Sequence, residues 1–292
     1  MIYFSFITLS LLWGTSFIFI KNALFVFSTI EILALRWTLS FLLFTVLILA
    51  KVIKVDYRNK PIKLLLLLVI CQPCLYALFE TIGVDLTTSS ESSIFIGIIP
   101  IMIVLEGWLF FKNKVTKKII FAICIAFVGL LTCVIFSPEF SFGGKIFGYL
   151  SLLFAVTMGG LYSLITSRLT KFFSFFEITF AMALGGALWF NLLSLLQGNG
   201  IALYMQFISS GSTSLAILYL GIGCSFGAYI LYNFTLTKLT AATASCLQTN
   251  LITIVGVIAG IIVDGDTWGR YTIIGLFLIV LGIYISSKEI QH

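Results

Sequence analysis

The sequence predicts an all-α integral membrane protein: ten transmembrane helices arranged as two inverted five-helix repeats, with both termini cytoplasmic. Three observations carry this expectation. The 292 residues are 60% apolar and only 10% charged, with a mean hydropathy of +1.16, whereas soluble chains carry about 25% charged residues. The basic residues gather in alternate gaps between the apolar runs, and the chain matches itself at an offset of 153 residues. A helical span needs roughly 20 apolar residues, so ten spans use about 200 and leave too little polar chain for a separate soluble core.

The spans follow in order. The run over residues 3–20 has no basic start and no small-residue cleavage site, and it continues through Trp13-Gly14-Thr15-Ser16, so it is expected to remain as a helix. The second, 31–50, opens at Glu31 and carries Arg36. The third, 62–82, contains Pro73, and the fourth, 91–110, contains Pro100; each proline removes a backbone donor and is expected to kink its helix. A fifth run covers 119–136. The second set lies near 146–166, 175–196, 214–234, 243–263 and 271–287, with an uncharged loop over 197–213. Gly144/Gly148, Gly223/Gly227 and Gly256/Gly260 have the spacing that lets helices approach closely.

Composition also excludes. The single histidine is His292, which removes His-based triads and paired-His zinc motifs. No Gly-x-x-x-x-Gly-Lys-Ser/Thr occurs, so no ATP-driven step is expected. The six cysteines fall inside apolar runs and read as small hydrophobes; Cys71-Gln72-Pro73-Cys74 lacks the strand-to-helix context of a redox pair. Neither a cofactor nor a metal is expected. The net charge of +6 reports orientation rather than nucleic-acid binding, because the basic residues lie between spans instead of on one face.

Cytoplasmic loops collect Lys and Arg. Lys51, Lys54, Arg58, Lys60 and Lys63 lie between the second and third spans, and Lys112, Lys114, Lys117 and Lys118 between the fourth and fifth. Arg168 and Lys171, Lys238, and Lys288 follow the sixth, eighth and tenth. The alternate loops hold only Lys21, Lys145 and Arg270, which places both termini inside and the chain in the cytoplasmic membrane.

Shifted by 153, Tyr76–Gly129 aligns with Tyr229–Gly282 without a gap, and eleven of the 54 pairs are identical, among them Tyr76/Tyr229, Thr87/Thr240, Ser92/Ser245, Gly107/Gly260 and Gly129/Gly282. At 146, Glu31 meets Glu177; at 145, Gly14 meets Gly159. The halves are residues 1–137 and 138–292. Five helices is an odd number, so the second unit enters the membrane in the opposite sense, and the charges invert accordingly: the basic Lys112–Lys117 segment matches the nearly neutral Gly265–Arg270. Inverted repeats are the architecture of many secondary transporters, with the substrate site near the midplane between the halves.

Trp13-Gly14-Thr15-Ser16-Phe17, Leu35-Arg36-Trp37, the Pro100-centred span leading to Trp108-Leu109-Phe110-Phe111, and the closing Gly275–Tyr284 segment resemble the EamA transporters of the drug/metabolite transporter superfamily over essentially the whole chain. The family's Gly-Glu after the fourth span is Lys112-Asn113 here, with Gly265-Asp266 as its repeat, and Met158-Gly159 stands where the family has Trp-Ala or similar. The resemblance implies a secondary transporter, with no catalytic residues, that exports an amino acid or related small metabolite by alternating access. A passive channel or facilitator and a membrane-embedded lipid-modifying enzyme are the alternatives. The expected partners are a small-molecule substrate, the bilayer and protons as a coupling ion; the sequence does not address oligomeric state.

A charge at mid-bilayer costs about 2.5–3.5 kcal/mol, so intramembrane ionisable groups are functional candidates. Glu80 and Glu106 are the candidates for ion coupling. Glu106 lies roughly 22 Å along the helix axis from Glu91, and reads either as a proton-binding group or as a partner of Lys112 or Lys114. Glu91 reads as a solvated helix start. Glu80 aligns with Asn233, each one turn beyond a Tyr of the repeated pair, so Tyr76, Tyr229, Glu80 and Asn233 are expected around a central cavity. Trp13, Gln248 and Asn250 complete the substrate-binding set, while Arg36 is read as a structural charge paired with Glu31 or with backbone carbonyls.

Overall fold

The computed structural model describes residues 2–112, 116–137 and 145–290, the side chains of Tyr3 and 286–290 aside. Every regular element among them is helical: α1 (Ile2–Leu24), α2 (Thr29–Leu49), α3 (Ile62–Leu86), α4 (Ser89–Phe111), α5 (Lys117–Ile135), α6 (Ile146–Leu169), α7 (Phe175–Leu196), α8 (Gly200–Ser209), α9 (Ser212–Leu236), α10 (Ala241–Asp264) and α11 (Arg270–Ile290). Among the described residues nine helices are long and apolar enough to cross a bilayer, and a shorter apolar stretch, Arg270–Ile285, lies in α11. Exposed Leu, Ile and Phe side chains cover the outside of the bundle, the surface expected against acyl chains.

The helices start where the sequence supplies oxygen caps. Ser28 with Glu31 opens α2, Thr88 with Glu91 opens α4, and Ser174 with Glu177 opens α7, each as a reciprocal pair in which the Glu side chain accepts from the cap residue's backbone N–H. Glu31 and Glu177, matched at offset 146, therefore occupy the same position in the same motif. The expected kinks are present. In α3, Gln72 has φ −143° and ψ 117°, an extended residue inside the helix immediately before Pro73. In α4 a turn at Gly97–Ile98 precedes Pro100, which lies in the first turn of the resumed helix, where a missing donor costs nothing. Wider π-type turns cover Ile70–Leu75 of α3 and Tyr219–Ala228 of α9. Such turns often mark functional sites.

α2 packs on α7, α1 on α9 and α10, α6 on α3 and α4, α4 on α10, and α5 on α11. At the α5–α11 seam the backbones approach closely. A Cβ on Gly129 would lie 2.6 Å from the Gly275 carbonyl oxygen, and one on Gly282 would lie 2.6 Å from that of Ala122. At the 153-residue offset these two contacts exchange, since Gly129 maps to Gly282 and Ala122 to Gly275. Gly14 and Gly159 agree in part: the first faces Val255 and the Ile252 carbonyl of α10, the second Tyr76 of α3 and then Ile99 of α4, and Ile99 maps to Ile252.

Helix α8 departs from expectation, which has a loop over 197–213. Gly198 and Gly211, with φ of +87° and +57°, bracket a run whose Ile201, Met205 and Ile208 lie on one exposed face. The other face packs inward through buried Leu203, and the Tyr204 hydroxyl donates to Asn191 Oδ1 at 2.5 Å. Three turns of helix between glycines are too short to register as a span.

Polar ties close both ends of the bundle. At one end Lys21 donates to the Thr87 carbonyl, the Ser90 amide donates to Asp266 Oδ2 at 2.8 Å, and Glu91 pairs with Lys145 at 3.3 Å while accepting from the Tyr149 hydroxyl at 2.8 Å. Glu91 is thus a buried cap rather than a solvated helix start, because α6 brings Tyr149 over it. At the other end Lys60 pairs with Glu177 at 2.7 Å, and the Asp56 amide and Tyr57 hydroxyl add bonds of 2.9 and 2.8 Å to the same residue. Burial beside Glu177 raises the Tyr57 phenol well above its ordinary value.

Candidate functional site

A cavity of about 40 Å³ lies inside the bundle. It is lined from both halves of the chain, by Trp13, Ser16, Phe17, Arg36, Gln72, Tyr76, Glu80, Ile96 and Ile99, and by Gly159, Tyr162, Ser163, Tyr229, Tyr232, Ser245, Gln248, Thr249 and Ile252. One wall is aromatic. The Trp13 ring centroid lies 4.9 Å from that of Tyr229 and 5.6 Å from that of Tyr232, both edge-on. Tyr162 lies 6.0 and 5.9 Å from the same two rings. Such pairs contribute about 0.5–1.5 kcal/mol each beyond burial, and hydrogen bonds hold them in place. Trp13 Nε1 donates to the Cys224 carbonyl at 3.2 Å, inside the wide turn of α9. The Tyr162 hydroxyl donates to Asn233 Oδ1 at 2.6 Å, and Ser163 and Tyr232 share a bond of 2.8 Å.

The same lining carries the charges. Arg36 is 2% exposed and its Nε donates to Ser225 Oγ. The Tyr76 hydroxyl donates to Glu80 Oε1 at 3.0 Å, one turn along α3. Gln72, in the extended residue of α3, donates from Nε2 to the Tyr229 hydroxyl. Four buried polar atoms in this lining have no hydrogen-bond partner among the described residues: Arg36 Nη1, Gln72 Oε1, Ser245 Oγ and Gln248 Oε1. Leaving such an atom unsatisfied costs about 1–3 kcal/mol, more for a charged group, so their gathering in one cavity suits a polar ligand.

Of the residues expected to bind substrate, Trp13, Tyr76, Glu80, Tyr229 and Gln248 line this cavity together. Two do not. Asn233 is fully buried behind Tyr162, and its amide donates to Thr179 Oγ1 at 2.9 Å, so it positions an aromatic of the lining instead of facing the space. Asn250 borders a separate apolar groove with Thr253, Ile254, Leu276 and Phe277. Two residues along a helix is a rotation of about 200°, so Gln248 and Asn250 face opposite ways. Arg36 does not pair with Glu31, whose carboxyl caps the Ser28 amide at 2.8 Å; it belongs to the cavity. Glu106 is 2% exposed and lies outside the cavity, packed on the bare face of Gly160, and neither of its carboxyl oxygens has a partner among the described residues. Lys114, one of its expected partners, lies outside the described residues.

Gln72, Tyr162, Ser163, Tyr232, Ser245 and Thr249 line the cavity without having been expected there. One signal was in view: Gln72 maps at offset 153 to Ser225, the partner of Arg36. Among the described residues no group of three or more His, Cys, Asp or Glu is placed to hold a metal.

The solved structures include a crystal structure that superposes on this chain with a TM-score of 0.70 at 17% identity, covering 99% of this chain and 96% of the other, which establishes a shared fold. Among curated proteins, "Uncharacterized transporter YcxC" of Bacillus subtilis is 27% identical over 99% of this chain and 93% of its own length. An "Uncharacterized transporter" of Archaeoglobus fulgidus is 28% identical over 95% of each. The model of the EamA-like transporter family matches twice, over residues 1–135 and 146–288. The chain is a multi-pass membrane protein, and it belongs to the EamA-like transporter family.

Proposed function

We propose that this protein is a secondary transporter that carries a small polar or amphipathic metabolite, an amino acid or a related compound, out across the cytoplasmic membrane by alternating access. The observation that carries the reading is the interior cavity, lined by both halves, with Arg36 and Glu80 buried in its wall. A buried, largely apolar space that carries charged and polar groups between two packed units suits a substrate site exposed first to one side and then to the other.

In this reading residues 1–137 and 138–292 are five-helix repeats inserted in opposite senses. The double family match, the exchanged contacts at Gly129/Gly282 and the partial match at Gly14/Gly159 support it. The basic loops place both termini inside. Trp13, Tyr76, Tyr229 and Gln248 hold the substrate, while Glu80 and Glu106 are the groups through which protons couple to transport. The polar ties at the two ends serve as gates: Lys21, Thr87, Ser90 and Asp266 outside, Lys60 and Glu177 inside.

Counterflow into proteoliposomes preloaded with unlabelled metabolites tests the function. A carrier accumulates the labelled counterpart transiently, whereas leak without accumulation refutes it. A C-terminal fusion to green fluorescent protein should fluoresce and one to alkaline phosphatase should be inactive; the reverse pattern refutes the orientation.

A further inference from the structure

We propose that the chain pairs with a second copy of itself in the membrane through the groove between α10 and α11, the Asn250 side chains of the two copies hydrogen-bonding to each other across a two-fold axis. The inference rests on the uniform insertion read from the basic loops and not on transport.

It starts from a polar group in the wrong solvent. Asn250 is half-buried at the edge of a groove of about 240 Å³ whose lining is otherwise apolar but for Thr253. The Thr253 hydroxyl is engaged within the chain, donating to the Ser93 carbonyl at 3.1 Å. The Asn250 amide has no hydrogen-bond partner among the described residues. It stands nine residues beyond Ala241, about 14 Å along α10 and further still from Asp264, so its short side chain reaches neither headgroup region. Acyl chains offer an amide neither donor nor acceptor, and leaving both unpaired at that depth is costly.

Three features select a second copy as the occupant. First, an amide carries two donors and an acceptor, so an Asn side chain is its own electrostatic complement. Second, the basic loops give every copy one orientation in the bilayer. A two-fold pair then has its axis along the membrane normal and brings residues of equal depth together, so Asn250 meets Asn250. Third, Leu247, Leu251, Ile254 and Ile258 are all exposed on the flank of α10 that carries Asn250, at spacings of four, three and four residues. That is the knob spacing of paired helices, and the groove beside them supplies the hollow.

Full-length protein labelled with donor or acceptor dye on a C-terminal tag, mixed in phosphatidylcholine–phosphatidylglycerol liposomes over a range of protein-to-lipid ratios, reads association by energy transfer. The parent should give saturable transfer. Asn250→Leu, which suits a lipid-facing site, should raise the half-saturation ratio about 3- to 30-fold, the equivalent of an interhelical hydrogen bond, with Asn250→Gln in between. Cross-linking serves as the test if Asn250→Leu does not fold. In a Cys124→Ala background, which removes the cysteine exposed on α5, Leu251→Cys should cross-link on oxidation with copper phenanthroline and Leu188→Cys, exposed on α7, should not. Absence of saturable transfer, the result expected of a monomer with an acyl chain in the groove, overturns the proposal. So does an Asn250→Leu protein that pairs as readily as the parent, or cross-linking at Leu188 equal to that at Leu251. The C-terminal reporter fusions separate the two levels: mixed reporter activity overturns uniform insertion and the pairing with it, whereas uniform insertion of a monomer overturns the pairing alone.

Discussion

Replacing Gly129 by alanine puts the α5–α11 seam to the test. The added Cβ would stand 2.6 Å from the Gly275 carbonyl oxygen and 2.9 Å from the Ile279 amide nitrogen. Both are backbone atoms of α11 and cannot rotate away. Relaxed contacts lie near 3.5 Å, so the helices must part by about 0.9 Å. Overpacking of this kind costs about 1–3 kcal/mol, against which alanine regains about 0.5–1 kcal/mol of helix propensity. The net is a loss of about 0.5–2 kcal/mol, which for a chain of this size lowers the unfolding temperature by roughly 1–6 °C. Gly282→Ala should behave the same way, since its Cβ meets the Ala122 carbonyl at 2.6 Å. The double variant should cost less than the sum, because helices already parted by one methyl accommodate the second. Gly227→Ala is the control: its nearest neighbour is the Ile222 carbonyl oxygen at 3.4 Å, an ordinary contact. Thermal unfolding of detergent-solubilised protein reads all four, and a Gly129→Ala protein as stable as the parent or more so refutes the packing argument.

Lys112 ends α4 with φ +54°, as Gly265 ends α10 with φ +71° at the matching position, so Lys112→Gly should raise stability by about 1 kcal/mol; an unchanged or lower unfolding temperature contradicts this. Lys60→Met removes the ammonium from a buried Glu177 that keeps its bonds to the Asp56 and Ser174 amides, a loss of about 1–2 kcal/mol, and limited proteolysis between 51 and 61 should quicken. Glu106→Gln removes an ionisable group without a partner among the described residues and should leave the unfolding temperature unchanged or higher while flattening the pH dependence of exchange; a pH profile identical to the parent's removes Glu106 from the coupling scheme. Glu80→Gln keeps a hydrogen-bond acceptor for Tyr76 and should retain the fold but lose pH-dependent exchange, and full activity with an unaltered profile contradicts the role given to Glu80.

Much of this architecture is written plainly in the chain, for a physical reason. A bilayer imposes length and apolarity on every span, so the runs stand out, and burial of charge costs enough that the few intramembrane ionisable groups are informative. That logic singles out Glu80, while it reads Arg36 as a structural charge, and the repeated tyrosines are two rings that line the cavity. It misjudges orientation around a helix axis. Gln248 and Asn250 are equally polar, but only one faces the interior, and nothing local distinguishes them. Arg36 invites a pairing with the nearby Glu31, yet that carboxyl is already engaged in capping its own helix, and the guanidinium turns to a serine 189 positions away. Gln72 was hidden for another reason: it reaches the cavity because the backbone before Pro73 leaves the helix, and a periodic reading assumes that it does not.

The glycine seam between α5 and α11 bears on how the chain came to be one chain. Gly129 rests on Gly275 while Gly282 rests on Ala122, so each side offers the other the same relief of ridge and hollow. Adhesion across such a face does not depend on covalent connection. Two polypeptides divided between Ile135 and Ile146 would carry all of these contacts, and so, in outline, would paired copies of one half. The peptide link then enforces stoichiometry, one of each half in every assembled molecule, and leaves Arg36, Gln72 and Glu80 free to differ from their counterparts.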